Sequence, residues 1–395
     1  MKLAISRRAA HLRHSAMDEF FSPGVEKIIP FNAGQPAADQ YPLDLLRPIF
    51  HELLENERDV MAYPHVAGDP ELLSALADRM NRLGIGRGVS PENIVTTVGA
   101  TGGADIASQL FIDPDDLVLC ETPTFTETLD CMYKSFARLR GVPMDNEGPL
   151  PDALEALAKT NKVKMFYVIP NFQNPTGRCT SLERRKSVVE IARRYGFMIL
   201  EDDPYHELSF GEEPPASYYS LAPDCTVYMG SLSKTIAPGV RLGWLVLPQE
   251  LRERAAMLIK STILAYPALL ERGCARLLRH PQFDAHVDRL RFDLKRRYKR
   301  LTSLMREKIS PELLNWETPL GGMFLWCHVP DSCDARQLAL LARDTYGVAF
   351  FPGMCFTPDF TGEEHSLRLT YARPSDEEMA EGVARIALVL KDVMA

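Results

Sequence analysis

Beyond about residue 40 the chain alternates segments whose apolar residues recur at helical spacing with short, nearly unbroken apolar runs. Pro70 to Leu83 gathers its apolar positions on one face and Arg79 and Arg82 on another, which predicts an amphipathic helix. A strand, NIVTTVG (93–99), follows it and closes on glycine. LVLCETP (117–123), KMFYVIP (164–170), FMILEDD (197–203), TVYMGSL (226–232) and LGWLVLP (242–248) are apolar nearly throughout and bounded by turn residues. That is the pattern of strands buried on both faces. Helical stretches such as Ser181 to Tyr195 separate them, so the order is β-α-β-α and the sheet mostly parallel. From Phe283 to Ile309 a long, strongly basic helix leads into a C-terminal α+β segment. Three parts follow: an N-terminal arm (1–40), a large α/β domain (41–285), and a connecting helix with a smaller α+β domain (286–395).

Composition narrows the function. With 46% hydrophobic and 25% charged residues, the 395-residue chain is an ordinary globular protein rather than a disordered, collagen-like or coiled-coil one. Lys plus Arg number 45 against 53 Asp plus Glu, a net charge of −8 that gives no footprint for phosphate backbones or anionic membranes. The basic run at 283–309 therefore reads as a solvated helix face or a dimer contact. No run approaches the roughly 18 apolar residues of a membrane span, and the first twenty residues lack a signal-peptide core. Eight scattered cysteines without Cys-x-x-Cys spacing suggest free thiols in a reducing cytoplasm and no metal site. Nucleic acid and membrane are thus not expected as partners, and small-molecule chemistry is.

In mostly parallel sheets, ligands sit outside the carboxyl ends of the strands. The turns there read GATGG (99–103, ahead of a helix over Ala104 to Phe111), PTF (123–125), PNFQNPTG (170–177), EDDPY (201–205) and GSLSK (230–234). In GSLSKTIAPGVRLGW (230–244), Lys234 follows a strand and two serines, and Arg241 lies seven residues on. A lysine in an apolar site can shed its proton and attack a carbonyl, while Ser231, Ser233 and Arg241 suit a phosphate dianion. An aldehyde at one end and a phosphate at the other describe pyridoxal 5′-phosphate. Its ring nitrogen then needs an anion, which Asp202 offers, and its ring oxygen needs donors, which Tyr205 and Asn174 offer. Phe125 can stack on the ring, and the N–H groups of GATGG can face the phosphate. Each signal alone has an ordinary reading as a turn, a cap or core packing; their order and placement at successive strand ends make the case.

The chain resembles the fold-type I, class I/II aminotransferases, and within them the α-aminoadipate and kynurenine aminotransferases and the catalytic domains of MocR-type regulators. IPNFQNPTGR, EDDPYHELSFG, GSLSKTIAPGVRLGW, TPLGGMFLW (318–326), FFPGMCF (350–356) and LRLTYA (367–372) carry the resemblance, which runs from about Phe31 to the C-terminus. It implies a three-layer α/β large domain of the aspartate aminotransferase type, with pyridoxal phosphate as cofactor. By the same resemblance Lys234 is the Schiff-base lysine and proton shuttle, Asp202 the pyridinium partner, and Tyr205 and Asn174 the holders of the ring oxygen. Ala100, Thr101, Ser231, Ser233 and Arg241 match the phosphate cup, and Phe125 the stacking ring. Tyr63 matches a tyrosine sent across a homodimer interface to the neighbour's phosphate. Arg368 matches the arginine that pairs with the substrate α-carboxylate; its ordinary alternative is an ion pair with Glu363 or Glu364.

Departures touch the substrate side. GATG (99–102) stands where many relatives read GSQQ, Phe125 where many have tyrosine, and FNAGQP (31–36) where others read FAGGLP, so Ala33 and Gly34 border the substrate. The N-terminal segment that helps choose side chains reads His11-Leu-Arg-His-Ser15. The implied activity is amino transfer from an L-amino acid to a 2-oxo acid such as 2-oxoglutarate (EC 2.6.1-like) in amino acid metabolism or biosynthesis. Two alternatives remain: a specialised enzyme that eliminates, cyclises or oxidises on the same fold, and a non-catalytic effector-sensing domain of a regulator. About 30 residues ahead of Phe31 are too few for the winged helix the last would need.

Overall fold

All six apolar runs become strands of one eight-stranded sheet. The computed structural model describes residues 4–21, 28–86 and 88–394; of the expected N-terminal arm, residues 1–3 and 22–27 lie outside the described residues. The strands β1 (Ile94–Val98), β2 (Leu117–Thr122), β3 (Arg138–Asp145), β4 (Gly148–Pro149), β5 (Val163–Val168), β6 (Met198–Asp202), β7 (Thr226–Ser231) and β8 (Leu242–Val246) lie in the order β1-β8-β7-β6-β5-β2-β3-β4. Neighbours from β7 through β3 pair in parallel. β8 runs antiparallel to both β1 and β7, with Leu242 opposite Val98 and Gly243 opposite Ser231. That reversal matters for the site, because Arg241, which precedes β8, arrives at the same sheet edge where β1, β5, β6 and β7 end.

Local signals explain the helices that flank these strands. The helix α1 (Pro70–Arg82) begins where Asp69 accepts from the N–H groups of Glu71 and Leu72, with Pro70 in its first turn. Another, Leu182–Tyr195, is capped by the Ser181 hydroxyl and ends at Gly196, whose φ of 71° suits glycine. α2 spans Gly99–Phe111 and so starts earlier than the sequence suggests: GATGG is its first turn rather than a loop ahead of Ala104. Packing against the sheet overrides the low helix propensity of glycine there, since a Cβ on Gly103 would lie 3.0 Å from Met229 Sδ and 3.1 Å from Leu245 Cδ2. α3 (Thr126–Lys134) follows β2.

The basic helix spans Phe283–Lys308. Three of its arginines are matched by carboxylates: Arg296 pairs with Asp376 at 2.8 Å, Arg297 with Asp293 at 2.5 Å and Arg291 with Asp288 at 3.5 Å. Beyond it, Asn315–Trp316, Phe324–His328, Ser366–Thr370 and Phe351–Pro352 form a four-stranded antiparallel sheet. Ile29–Pro30 pairs in parallel with Val348–Ala349 in a separate two-stranded sheet, which ties residues near the start of the chain to the C-terminal segment. All eight cysteines are free. Among the described residues no helix is long and apolar enough to cross a membrane.

Candidate active site

The turns at the carboxyl edge of the large sheet and the smaller sheet enclose a cavity of about 450 Å³. Ala33, Gly34, Ala100, Thr101, Phe125 and Asn174 line it, as do Asp202, Tyr205, Ser231, Ser233, Lys234, Arg241 and Arg368. The site residues named from the sequence are thereby brought together, apart from Tyr63 and the His11–Ser15 segment. Tyr63 is 90% exposed and lies outside this cavity.

Asp202 is the last residue of β6 and is buried. The Tyr167 hydroxyl, from β5, donates to Asp202 Oδ2 at 2.7 Å, while Oδ1 is buried with no hydrogen-bond partner. Burial pushes the Asp202 carboxyl up to about 7, against the pull of Tyr167 and of Lys234. A buried carboxylate oxygen without a donor is costly, so this position calls for a cationic N–H. Lys234 Nζ donates to the Gly34 carbonyl at 2.7 Å and stands 6.0 Å from the centre of the Tyr205 ring. Burial lowers the Lys234 ammonium to about 8, and the charge of Arg368 adds to the effect. Near neutral pH the amine is thus within reach of its neutral, nucleophilic form.

Ser231 donates its hydroxyl to Ser233 at 3.0 Å. Arg241 adopts the left-handed region (φ 49°) and donates from Nη2 to the Val98 carbonyl at 3.4 Å, beside the start of α2. Gly99 makes room for it, and Gly243 makes room for the start of α2. A Cβ on Gly99 would sit 2.7 Å from Arg241 Nη2, and one on Gly243 would sit 2.5 Å from the Gly99 carbonyl carbon. A guanidinium, two hydroxyls and the free N–H groups of a helix N-terminus suit a dianion. Taken together, an amine of lowered basicity, an orphaned carboxylate oxygen and an anion cradle fit pyridoxal 5′-phosphate.

Arg368 is buried in the smaller sheet, with its guanidinium 4.3 Å from the Phe324 ring centre and 4.9 Å from that of Phe356. Nη1 donates to Asn174 Oδ1 at 2.8 Å and Nη2 to the Asn32 carbonyl at 2.6 Å, while Nε is buried without a partner. The ion pair with Glu363 or Glu364 does not form; Glu363 accepts instead from the Ser366 hydroxyl at 2.6 Å. Burial lowers Arg368 to about 10, against the opposing pull of Tyr205 and Glu127.

The sequence reading missed Tyr167, which looks like any core aromatic in KMFYVIP, and Glu127, which lines the cavity two residues after Phe125. Asn32, Gln35, Phe324 and Phe351 also line it. The His11–Ser15 segment does not. His11 stacks on Tyr133 at 4.2 Å and Arg13 pairs with Asp130 at 3.2 Å, while Met17 and Phe21 from the same arm reach the cavity.

The family model for aminotransferase class I and II matches residues 26–386. The chain is 30% identical to the 2-aminoadipate transaminase of Thermus thermophilus, over 99% of this chain and 98% of the relative. It is 31% identical to aromatic-amino-acid aminotransferase 1 of Thermococcus litoralis, over 93% of this chain and 89% of the relative. Among solved structures, the α-aminoadipate aminotransferase of Thermus thermophilus, complexed with N-(5′-phosphopyridoxyl)-L-leucine, superposes with a TM-score of 0.90 at 29% identity, covering 99% of this chain and 98% of that one.

Proposed function

Since the chain belongs to the aminotransferase class I and II family and is an enzyme of pyridoxal phosphate, we propose that Lys234 is the residue that moves the proton, and that the amino group passes from an L-amino acid to a 2-oxo acid, with 2-oxoglutarate the first acceptor to try. The observation that carries this reading is the Lys234 amine, lowered to about 8 in a cavity that also holds the orphaned Asp202 oxygen. When bound, pyridoxal phosphate supplies an aldehyde that condenses with amines and a ring that takes up the electron pair released at Cα. Ser231, Ser233, Arg241 and the N–H groups of Ala100 and Thr101 hold the phosphate. Asp202 keeps the ring nitrogen protonated, with Tyr167 fixing the carboxylate's orientation. Tyr205 and Asn174 would hold the ring oxygen, and Phe125 would offer the ring an apolar face. Arg368 holds the α-carboxylate and so orients the Cα–H bond toward Lys234 Nζ, which removes the proton and returns it at the other end of the transfer.

Arg368→Ala should raise KM for α-carboxylate substrates by a factor of about 10 or more, as loss of a charge-assisted fork requires. Steady-state kinetics with any accepted donor checks this, and an unchanged KM removes Arg368 from the substrate site. Tyr63 is exposed in the single chain. We assign it to a partner subunit's phosphate across a homodimer interface. Sedimentation of the holoenzyme should give a dimer, and Tyr63→Phe should weaken cofactor retention; a competent monomer contradicts both. A cytoplasmic enzyme of three parts, with an arm over 1–40, a large domain over 41–285 and a small domain over 286–395, completes the reading.

A further inference from the structure

Five charged residues line the cavity among the described residues: Glu127, Asp202, Lys234, Arg241 and Arg368. The reading above commits four of them, Asp202 to the ring nitrogen, Lys234 to the reacting amine, Arg241 to the phosphate and Arg368 to the α-carboxylate. Glu127 is left over. It sits in the first turn of α3, exposed to the cavity, and no hydrogen bond or ion pair to it is formed among the described residues. The carboxylates near it do not compete for its role, because Asp130 is paired with Arg13 at 3.2 Å and Asp18 accepts from the Ser15 backbone N–H at 3.2 Å. Partial burial raises the Glu127 carboxyl above its ordinary value, Arg368 and Lys234 opposing and Asp130 and Asp18 adding. No described cation of the cavity remains to neutralise a second carboxylate on a substrate.

We propose that Glu127 selects the amino donor, favouring L-amino acids whose side chains end in an ammonium or guanidinium group and disfavouring those that end in a carboxylate. The inference rests on the reading of this cavity as the substrate site of the aminotransferase. Charge arrangement makes the choice: Arg368 fixes the α-carboxylate on one wall, and a side chain reaching toward α3 meets a lone carboxylate. A cation there gains a charge-assisted hydrogen bond, and an anion meets repulsion with no counter-ion. An acidic acceptor such as 2-oxoglutarate has to keep its distal carboxylate away from Glu127, so it works against the same term. Glu127 also stands where an acidic residue stabilises a helix by its dipole. That role affects the melting temperature and leaves the ranking of substrates alone.

The test compares kcat/KM of the holoenzyme for L-lysine, L-norleucine and L-2-aminoadipate, which share a chain length and end in a cation, a methyl group and a carboxylate. The expected order for the wild type is lysine above norleucine above aminoadipate, with lysine ahead of norleucine by at least about tenfold. In Glu127→Gln the lysine-to-norleucine ratio should fall by about tenfold and KM for 2-oxoglutarate should drop; in Glu127→Lys aminoadipate should become the best of the three. A wild type that prefers aminoadipate to norleucine, or a ratio unmoved in Glu127→Gln, overturns the proposal. Calorimetry with 5-guanidinopentanoate, octanoate and suberate, matched acids without an α-amino group, reads the same preference without turnover. If the wild type turns over no donor, the aminotransferase reading fails, and the calorimetric ranking still decides whether Glu127 selects for cations.

Discussion

Lys234→Ala is expected to lose at least about 10³-fold in turnover with every donor, since in the proposed role one side chain supplies both the amine that engages the cofactor's aldehyde and the base for the Cα proton. The mutant should stay folded. Lys234 makes one hydrogen bond, to the Gly34 carbonyl at 2.7 Å, and its burial already disfavours the charged form. Removing it takes away a desolvated ammonium rather than a structural ion pair, so the melting temperature of the apo-protein should not fall. Borohydride reduction of the wild-type holoenzyme, followed by peptide mapping, should leave the cofactor on the peptide carrying Lys234 and on no peptide of the mutant. The lowered basicity gives a second readout. Burial lowers Lys234 to about 8, so its neutral fraction grows, and the rate at which apo-protein captures pyridoxal phosphate should climb, as pH rises through that value. Wild-type turnover in Lys234→Ala, or capture that is flat from pH 7 to 9, contradicts the role.

The other large effect has opposite signs in activity and stability. Asp202→Asn should cut turnover on the order of 10³-fold, because an amide cannot keep the ring nitrogen charged as a carboxylate does. The same change should stabilise the apo-protein. Asp202 rises from 3.8 to about 7 on folding, chiefly through burial. Between roughly pH 4 and 7 the folded chain therefore holds a proton that the unfolded chain has released. Stability contributed by this group falls as pH rises through that window and stays low above it. Asparagine carries no such penalty, so at pH 8 the apo melting temperature should rise by roughly 2 °C or more. At pH 4 the two proteins should melt together. Bound cofactor should reverse the order, because its ring N–H would satisfy the wild-type carboxylate. A mutant apo-protein less stable than wild type at pH 8 would mean that Asp202 has a counter-charge of its own in the fold.

The strands legible in the sequence are those covered on both faces. β7, TVYMGS, is buried at every position, and so is β8, LGWLV. β3, RLRGVPMD, escaped because it lies toward the sheet edge with only Val142 fully buried, so polar residues interrupt any apolar run. The start of α2 was hidden by glycines whose helical state is set by the Met229 and Leu245 side chains packed against Gly103. In the site, residues at strand ends were legible because topology alone carries them to one edge. Arg241 stood out by its spacing from Lys234, although only the antiparallel β8 explains how it reaches the cavity. Tyr167 and Glu127 were not. Their roles depend on which way one strand residue and one helix residue point, and single-residue orientation leaves no mark in a pattern of apolar and polar positions. Tyr63 is a residue whose proposed work lies on another subunit, so the fold of one chain leaves it exposed.

Product analysis under single-donor conditions tests the assignment most directly. Purified holoenzyme is mixed with one L-amino acid and no acceptor, and the 2-oxo acid is counted by mass spectrometry against the concentration of Lys234. One 2-oxo acid per site, with no ammonia released and further turnover only after a 2-oxo acid acceptor is added, is the expected result. Continuous product without acceptor, accompanied by ammonia or by oxygen uptake, would mean that the same lysine, carboxylate and arginine serve elimination, cyclisation or oxidation instead of amino transfer.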